Sequence, residues 1–462
     1  MSIITAVILA AGKGTRMKSD LPKVLHQVNG KAMISYVIEA ARESGADKNV
    51  LVVGHGAEQV RAAMGHDLAY ALQMPQLGTG HALQCAVPAI DPACQSILVL
   101  CGDTPLITAQ TLQALVAEFQ QSQSACTVLT TMMENPFGYG RIVRDVDGHI
   151  AKIIEEKDAG YEQKQIKEVN TAIYCFDYQL LLYVINDLNN DNRQQEYYLT
   201  DLLELLSQKG HKVNSMLLED SDEVMGINDR IQLAQAACIL RKRKNQSLMA
   251  AGVSIVDSTN TYIEDDVEIG IDTVIEPYTF IRGRTVIGCT CHIGPNADID
   301  SSVIGNRCQI RQSTIIGCHM GNDCNIGPFS YMRPGTVLAD QVKVGGFVET
   351  KKAQVGTSSK IPHLSYIGDT KIGREVNIGC GTITCNYDGF AKYMTIIDDG
   401  AFIGSNTNLI APVTVGKGAV VAAGSSVSKD VPADALAIER AEQRNIEGWA
   451  EKNRRRKGRE EK

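Results

Sequence analysis

From Ile263 onward an aliphatic residue returns every six positions: Ile263, Ile269, Ile275, Ile281, Ile287, Ile293 and Ile299 keep step. After a one-residue slip the series continues through Ile304, Ile310 and Ile316, then Ile326, Met332, Leu338 and Val344. It resumes at Ile397, Ile403, Leu409, Val415, Val421 and Val427. The next residue is often glycine, as at Gly270, Gly288, Gly294, Gly305, Gly327, Gly404 and Gly416. A period of six suits neither a heptad coil nor an amphipathic helix. It is the repeat of a parallel β-helix, in which each rung turns one aliphatic side chain inward. The small neighbour is expected to let the chain turn a corner. Two breaks stand out: the register slips around 345–355, and Thr384–Thr395 fits no rung. Insertions in solenoids emerge as loops and often carry the binding site.

At 462 residues the chain is too long for one ordinary core. Residues 1–227 alternate β-branched runs with helical stretches, the pattern of a mostly parallel sheet covered by helices. Ile3–Leu9, Val50–Val53, Ile97–Cys101, Ala125–Thr131 and Ala172–Phe176 read as strands. Ala32–Ser44, Thr111–Gln121 and Tyr198–Leu206 read as helices. A connecting helix spans 228–252, capped by Asn228 or Asp229 and ended by Gly252, and its basic run at 241–244 reads as a solvated face without a ligand. The hexapeptide domain takes 253–462, with its coil over about 253–430 and a mixed-charge tail, Arg454–Lys462, expected to be frayed.

Composition narrows the function. The chain is 44% apolar and 21% charged, as globular proteins are. A net charge of −8 argues against nucleic acid as the main partner. The start, MSIITAVILAAGKG, has no basic segment ahead of its apolar run and so does not read as a signal peptide. No apolar run reaches the roughly 18 residues of a membrane span. Thirteen cysteines, without a CxxC pair, point to a reducing cytoplasm. Cys289, Cys291 and His292 could suggest a metal site, but their rung positions suit buried small side chains better.

The first strand runs into Leu9-Ala10-Ala11-Gly12-Lys13-Gly14-Thr15-Arg16-Met17, followed by Pro22-Lys23. A glycine turn between strand and helix offers backbone N–H groups to a phosphate. It is not a Walker A loop, because Gly14 follows Lys13 and Val7 stands where the first glycine belongs. Nor is it a dinucleotide fingerprint, because Met17 occupies the third small position. Arg16 and Lys23 bring two cations to such a phosphate. The strand Ile97–Cys101 ends in Gly102-Asp103, placing a carboxylate at the sheet edge where Mg²⁺ would meet phosphate oxygens. Gln73, Gly78 and Thr79 are candidates for a base edge. The segment Phe137–Arg141, with Glu155 and Asn170, suits sugar hydroxyls.

Gly-x-Gly-Thr-Arg-Met with a following Pro-Lys resembles the signature of the sugar-phosphate nucleotidyltransferases. With the hexapeptide half, the whole chain resembles the bacterial bifunctional N-acetylglucosamine-1-phosphate uridyltransferases and glucosamine-1-phosphate N-acetyltransferases. The resemblance implies a Rossmann-like mixed-sheet α/β domain followed by a left-handed parallel β-helix. It implies UTP as the nucleotide, contacted by Leu9, Ala10, Ala11, Gly12, Lys23, Gln73, Gly78, Thr79, Cys101, Gly102, Asp103, Gly140, Glu155, Asn170 and Asn228. Asp103 and Asn228 would hold Mg²⁺. Cys101 stands where related sequences often have tyrosine, and its backbone is expected to make the contact.

In the second half, Arg333 and Lys351 suit a phosphate. His363 suits a general base for an attacking amine. Hexapeptide coils commonly scaffold acyltransferases that use acetyl-CoA. The resemblance assigns Arg333, Lys351, Tyr366 and Asn377 to the amino-sugar phosphate, and Cys380, Asn386, Tyr387, Ser405, Ala423 and Arg440 to acetyl-CoA. Cys380 replaces a common alanine and is expected to act through its backbone. An acetyl-enzyme on Cys380 or Cys385 is a rival chemistry that the spacing does not demand. By resemblance the chain is a cytoplasmic homotrimer with shared acetyltransferase sites, making UDP-N-acetylglucosamine for peptidoglycan and lipopolysaccharide. The alternative is a single-activity nucleotidyltransferase whose coil serves assembly only.

Overall fold

The computed structural model describes residues 3–460. The chain divides into two compact units, Met1–Arg243 and Lys244–Lys462. The division falls inside a continuous helix, Arg230–Ala250, within the segment set apart above as a linker.

The first unit is built on a nine-stranded mixed sheet among the described residues. In chain order its strands are β1 (Ile4–Leu9), β2 (Lys48–Val53), β3 (Ala69–Leu72), β4 (Ser96–Cys101), β5 (Cys126–Met132), β6 (Arg141–Arg144), β7 (Ile150–Ile154), β8 (Glu168–Asp177) and β9 (Val213–Leu218). The main order is β9-β5-β8-β4-β1-β2-β3, with the β6/β7 ribbon attached beside β8. β8 alone on this path runs antiparallel to both neighbours, which makes the sheet mixed. β1 and β4 read as nearly continuous apolar runs because helices cover both faces. Val7, Ile97 and Val99 enter one core while Ile8, Leu98 and Leu100 enter the other, all wholly buried. Helices α1 (Met33–Glu43), α2 (Ala57–Met64), α3 (Thr79–Ala86), α4 (Ala109–Ser122), α5 (Tyr178–Val184) and α6 (Asp201–Gln208) supply the covering layers. The helix read from Tyr198 thus begins at Asp201. Strands β3, β6, β7 and β9 were not legible as such, being short or half exposed.

The long helix α7 (Arg230–Ala250) decides between two caps and corrects one expectation. Its cap is Asp229, whose Oδ1 accepts the N–H groups of Ile231 and Gln232 at 2.9 Å each. Its basic run is not merely a solvated face. Arg243 donates to the Leu106 carbonyl at 2.6 Å. Lys244 donates to the carbonyls of Asp265 and Val267 at 2.7 Å each.

The second unit is a left-handed parallel β-helix whose three faces are sheets of 11, 10 and 9 short strands among the described residues. Ile263, Ile275, Ile281, Ile293, Ile299, Ile310 and Ile326 are wholly buried along its axis. Each such side chain contributes roughly 1.5–3 kcal/mol by leaving water. Three local readings change. The inward residue after Ile310 is Ile315, wholly buried, and Ile316 faces outward. The rhythm persists through 345–355 because Thr350, wholly buried, takes the inward position. Thr384 likewise points inward, so the extruded segment starts only at Asn386. Hydroxyls in place of methyls hid these rungs from a hydrophobic period; Thr350 shares a hydrogen bond with Thr336 at 3.1 Å.

Most glycines after the aliphatic positions do not make the corners, although Gly294 and Gly327 have φ of 103° and 99°. A Cβ on Gly288 would stand 2.8 Å from the Gly305 carbonyl carbon of the next rung, so close stacking requires glycine there. The corner comes two residues later, at Thr290, with φ of 59°. Side-chain-bearing residues take this left-handed conformation at a cost of roughly 1–2 kcal/mol each. The tail expected to be frayed carries a helix, α8 (Trp449–Glu460), and residues 461–462 lie outside the described residues.

Candidate active sites

In the first unit β1 delivers Leu9 to the carboxyl edge of the sheet, and the glycine loop follows. Gly14 has φ of 59°, and a Cβ there would meet Cβ of Lys23 at 2.6 Å, so glycine lets the loop close over the lysine stem. Leu9, Ala10, Ala11, Gly12, Lys23, Gln73, Gly78, Thr79, Cys101 and Asp103 line one cavity of about 470 Å³. Gly140, Glu155 and Asn170 line a second, of about 230 Å³, and Leu9, Thr79, Cys101 and Asp103 border both. The expected nucleotide and sugar contacts therefore form one continuous trough. Gly102 lies behind the trough, its N–H bonded to the Leu9 carbonyl at 2.9 Å. Arg16 is exposed on the short turn Thr15–Met17 and borders neither cavity.

Lys23 is the electrostatic centre. Its ammonium donates to Asp103 Oδ2 and, at 2.9 Å, to Asn228 Oδ1. Lys23 and Asp103 side chains are only 14% and 23% exposed. Asp103 also accepts the Ile227 N–H on its backbone carbonyl at 2.9 Å, which ties this corner to the start of α7. Asp229, not Asn228, caps the helix, so the Asn228 amide is left to face the cation.

Around the trough the polar groups are held by their neighbours. Gln73 donates to the Gly78 carbonyl at 2.8 Å, which fixes its amide at the wall of the larger cavity. Burial pushes the Glu155 carboxyl up, against a hydrogen bond from Thr200. A register shift between Asn170 and Tyr174 bulges β8 at the cavity wall, with Ala172 at φ of 59° inside it. Burial pushes the Cys101 thiol up to about 12, so it is neutral and no nucleophile.

Arg141, read above as a sugar contact, is 2% exposed and lies behind the trough. It pairs with Glu156 at 2.7 Å and donates to the Tyr139 carbonyl. Sequence reasoning also missed Tyr174, which borders the smaller cavity with its hydroxyl buried.

In the second unit the expected acetyltransferase residues fall into two groups. The first is a column along one corner. Gly346 faces His363, and Lys360 faces Asn377 on adjacent strands, so the same register sets His363 against Cys380. Ser405 follows Cys380, with Asn406 N–H bonded to the Cys380 carbonyl at 2.7 Å. Ala423 follows Ser405, and its carbonyl accepts from Arg440 at 2.9 Å. His363 is exposed at the head of this column.

The second group lies on the adjoining face. Arg333 pairs with Glu349 at 3.0 Å, and Glu349 stands beside Tyr366 across the strands. Lys351 pairs with Asp369 at 3.1 Å, and the Asn386 amide donates to the same carboxylate. A Cβ on Gly368 would stand 2.5 Å from the Tyr366 hydroxyl and 2.8 Å from the Asn386 amide, so both groups meet over a bare backbone. Lys392, which sequence reasoning missed, joins this face. The Lys351 ammonium holds Lys392 below the usual lysine range. Two cations around one carboxylate leave a net positive spot suited to an anion. Tyr387 sits on the extruded segment, bridged to Lys392, with its hydroxyl donating to the Gly389 carbonyl at 2.6 Å. Asn377 lies on a different sheet from Tyr366.

Residues 6–167 match the family of the MobA-like NTP transferase domain, and residues 257–363 that of the GMPPB C-terminal domain. The chain is similar to proteins described as "Bifunctional protein GlmU" along nearly its whole length. That of Pelobacter propionicus is 52% identical, over 97% of this chain and 98% of the relative. That of Trichlorobacter lovleyi is 50% identical, over 98% and 99%. That of Heliobacterium modesticaldum is 51% identical, over 95% of each.

Proposed function

The chain belongs to the family of the bifunctional GlmU proteins, and from that premise we infer that it runs two consecutive transfers. The first acetylates the amine of glucosamine-1-phosphate from acetyl-CoA. The second joins the product, N-acetylglucosamine-1-phosphate, to UTP, giving UDP-N-acetylglucosamine and pyrophosphate.

In the second unit, Arg333, Lys351 and Lys392 hold the sugar phosphate, and Glu349 and Asp369 keep the first two side chains extended toward it. His363 takes a proton from the amine as its nitrogen attacks the thioester carbonyl. The acyl–sulfur bond breaks and CoA leaves as its thiol, along the column of Cys380, Ser405, Ala423 and Arg440. This column carries the two-activity reading, because a coil used only for assembly has no need of a base heading a strip of backbone edges.

In the first unit, the loop amides of Ala10 to Gly12 and the charge of Lys23 hold the triphosphate, and Arg16, on the exposed turn beside the loop, adds longer-range positive charge. Gln73 reads the base edge, and Glu155, Asn170 and Gly140 hold the sugar. A sugar-phosphate oxygen attacks the α-phosphorus in line, and the bond to pyrophosphate breaks. Asp103 and Asn228 fit Mg²⁺: they are one carboxylate and one amide oxygen, hard donors already converging on a cation, the Lys23 ammonium. Bound there, Mg²⁺ supplies neutralising charge to the phosphates.

A cytoplasmic homotrimer is part of this reading. Phe329 and Phe347 stack at 5.4 Å on one corner while 53% and 64% exposed, and Leu364 continues the ladder at 60%. Such a stripe suits coverage by a second copy. Thirteen free cysteines suit a reducing compartment. Among the described residues no helix is long and apolar enough to cross a membrane.

The test supplies glucosamine-1-phosphate, acetyl-CoA, UTP and Mg²⁺, and follows CoA thiol and pyrophosphate separately. The unaltered protein is expected to release both. His363→Ala loses CoA release yet forms pyrophosphate from ready-made N-acetylglucosamine-1-phosphate. If the unaltered protein turns over only that acetylated substrate, the two-step reading fails.

A further inference from the structure

The Lys23 ammonium occupies the point where Asp103 Oδ2 and Asn228 Oδ1 converge. These oxygens come from the end of β4 and from the residue two before α7, and one cation joins both. A divalent ion bound by the same oxygens would overlap the ammonium, and Coulomb repulsion at that separation is severe in a site so little exposed. Lys23 also borders the large cavity, where the glycine loop turns its amides toward a triphosphate.

We propose that Lys23 is a built-in placeholder cation: without nucleotide it fills the metal-ligand pair and keeps divalent ions out, and it releases the pair when phosphate oxygens draw its ammonium away. The proposal rests on the reading of Asp103 and Asn228 as metal ligands. Its consequence is reciprocal coupling: nucleotide strengthens metal binding and metal strengthens nucleotide binding by the same factor. The ammonium also prevents two oxygen acceptors from facing each other unpaired in the empty site, which would cost free energy.

The full-length protein without substrates is titrated with Mn²⁺, and binding is read by electron paramagnetic resonance. Lys13→Met serves as the control, since Lys13 borders the same cavity but does not bridge the pair. Lys23→Met is expected to bind Mn²⁺ at least about fivefold more tightly than the unaltered protein, the lower range of ordinary site coupling, with Lys13→Met unchanged. Adding Asp103→Asn to Lys23→Met is expected to remove the gain. Equal tightening in both lysine variants would mean that charge alone acts, and no tightening in Lys23→Met would mean that the ammonium excludes nothing; either overturns the proposal. The metal-ligand reading is tested separately: with UTP present, Asp103→Asn should weaken Mn²⁺ binding, and unchanged binding sinks that reading instead.

Discussion

Arg141 donates to Glu156 at 2.7 Å from a site where its side chain is only 2% exposed, behind the loop that walls the smaller cavity. Glu156 also accepts the Gly138 N–H at 3.3 Å, and Arg141 holds the Tyr139 carbonyl. One ion pair thus pins both ends of a loop whose Gly138, Tyr139 and Gly140 line the cavity.

Glu156→Gln keeps the shape of this latch and removes its charge. The pair is buried on the arginine side, so breaking it costs about 2–3 kcal/mol, below the range for a fully buried pair. The expected result is a raised KM for N-acetylglucosamine-1-phosphate with the KM for UTP and CoA release nearly unchanged. Steady-state kinetics of both half-reactions checks this; equal rises in both KM values would count against a loop-specific role.

Asp229 and Asn228 are neighbours with separate tasks. Asp229→Ala removes the cap of α7 and is expected to cost about 1 kcal/mol of stability while pyrophosphate release persists. Asn228→Ala is expected to do the reverse, leaving denaturation nearly unchanged and lowering Mg²⁺-dependent turnover. Urea melts alongside pyrophosphate assays separate the two.

Gly368→Ala places a methyl against the Tyr366 hydroxyl and the Asn386 amide. The rung core beneath is untouched, so the fold is expected to persist by circular dichroism. CoA release should fall by more than about tenfold, the loss expected when substrate groups are displaced by an ångström. Uridylyl transfer should be unaffected.

Asp201, in the first turn of α6, has its carboxyl pushed up to about 6, mainly by burial, with Glu204 and Asp158 adding repulsion. In the unfolded chain it titrates near the ordinary 3.8. Between these values the folded form holds the proton and the unfolded form does not, so this group makes stability fall as pH rises through that window. Asp201→Asn is expected to raise the melting temperature of the first unit at pH 7, with the difference shrinking toward pH 4. A gain independent of pH would show that ionisation is not the cause.

Much of the β-helix was legible because each rung repeats one local geometry: a strand residue faces inward, and a hydrophobic period of six reports it directly. The same logic fails where Thr350 and Thr384 face the axis, since a hydroxyl hides the period while packing and hydrogen bonding still satisfy it. In the first unit the glycine loop and Gly102-Asp103 were legible because they sit at the ends of apolar strands, where a sheet of this kind binds ligands. Arg141 was misread because a charged side chain beside a glycine loop looks like a ligand contact until its buried partner is known.

The sequence by itself determined the two architectures, the glycine loop, and the residue types available for phosphate, base and sugar. Tertiary structure alone decided which of them meet. Lys23 and Asn228 lie 205 positions apart and share one hydrogen bond. Asp229 rather than Asn228 caps α7, and His363 stands in one column with Cys380 and Ser405. The reason is physical: side-chain direction follows from the backbone dihedrals of a few neighbouring residues, whereas convergence across the chain depends on how whole layers and rungs pack.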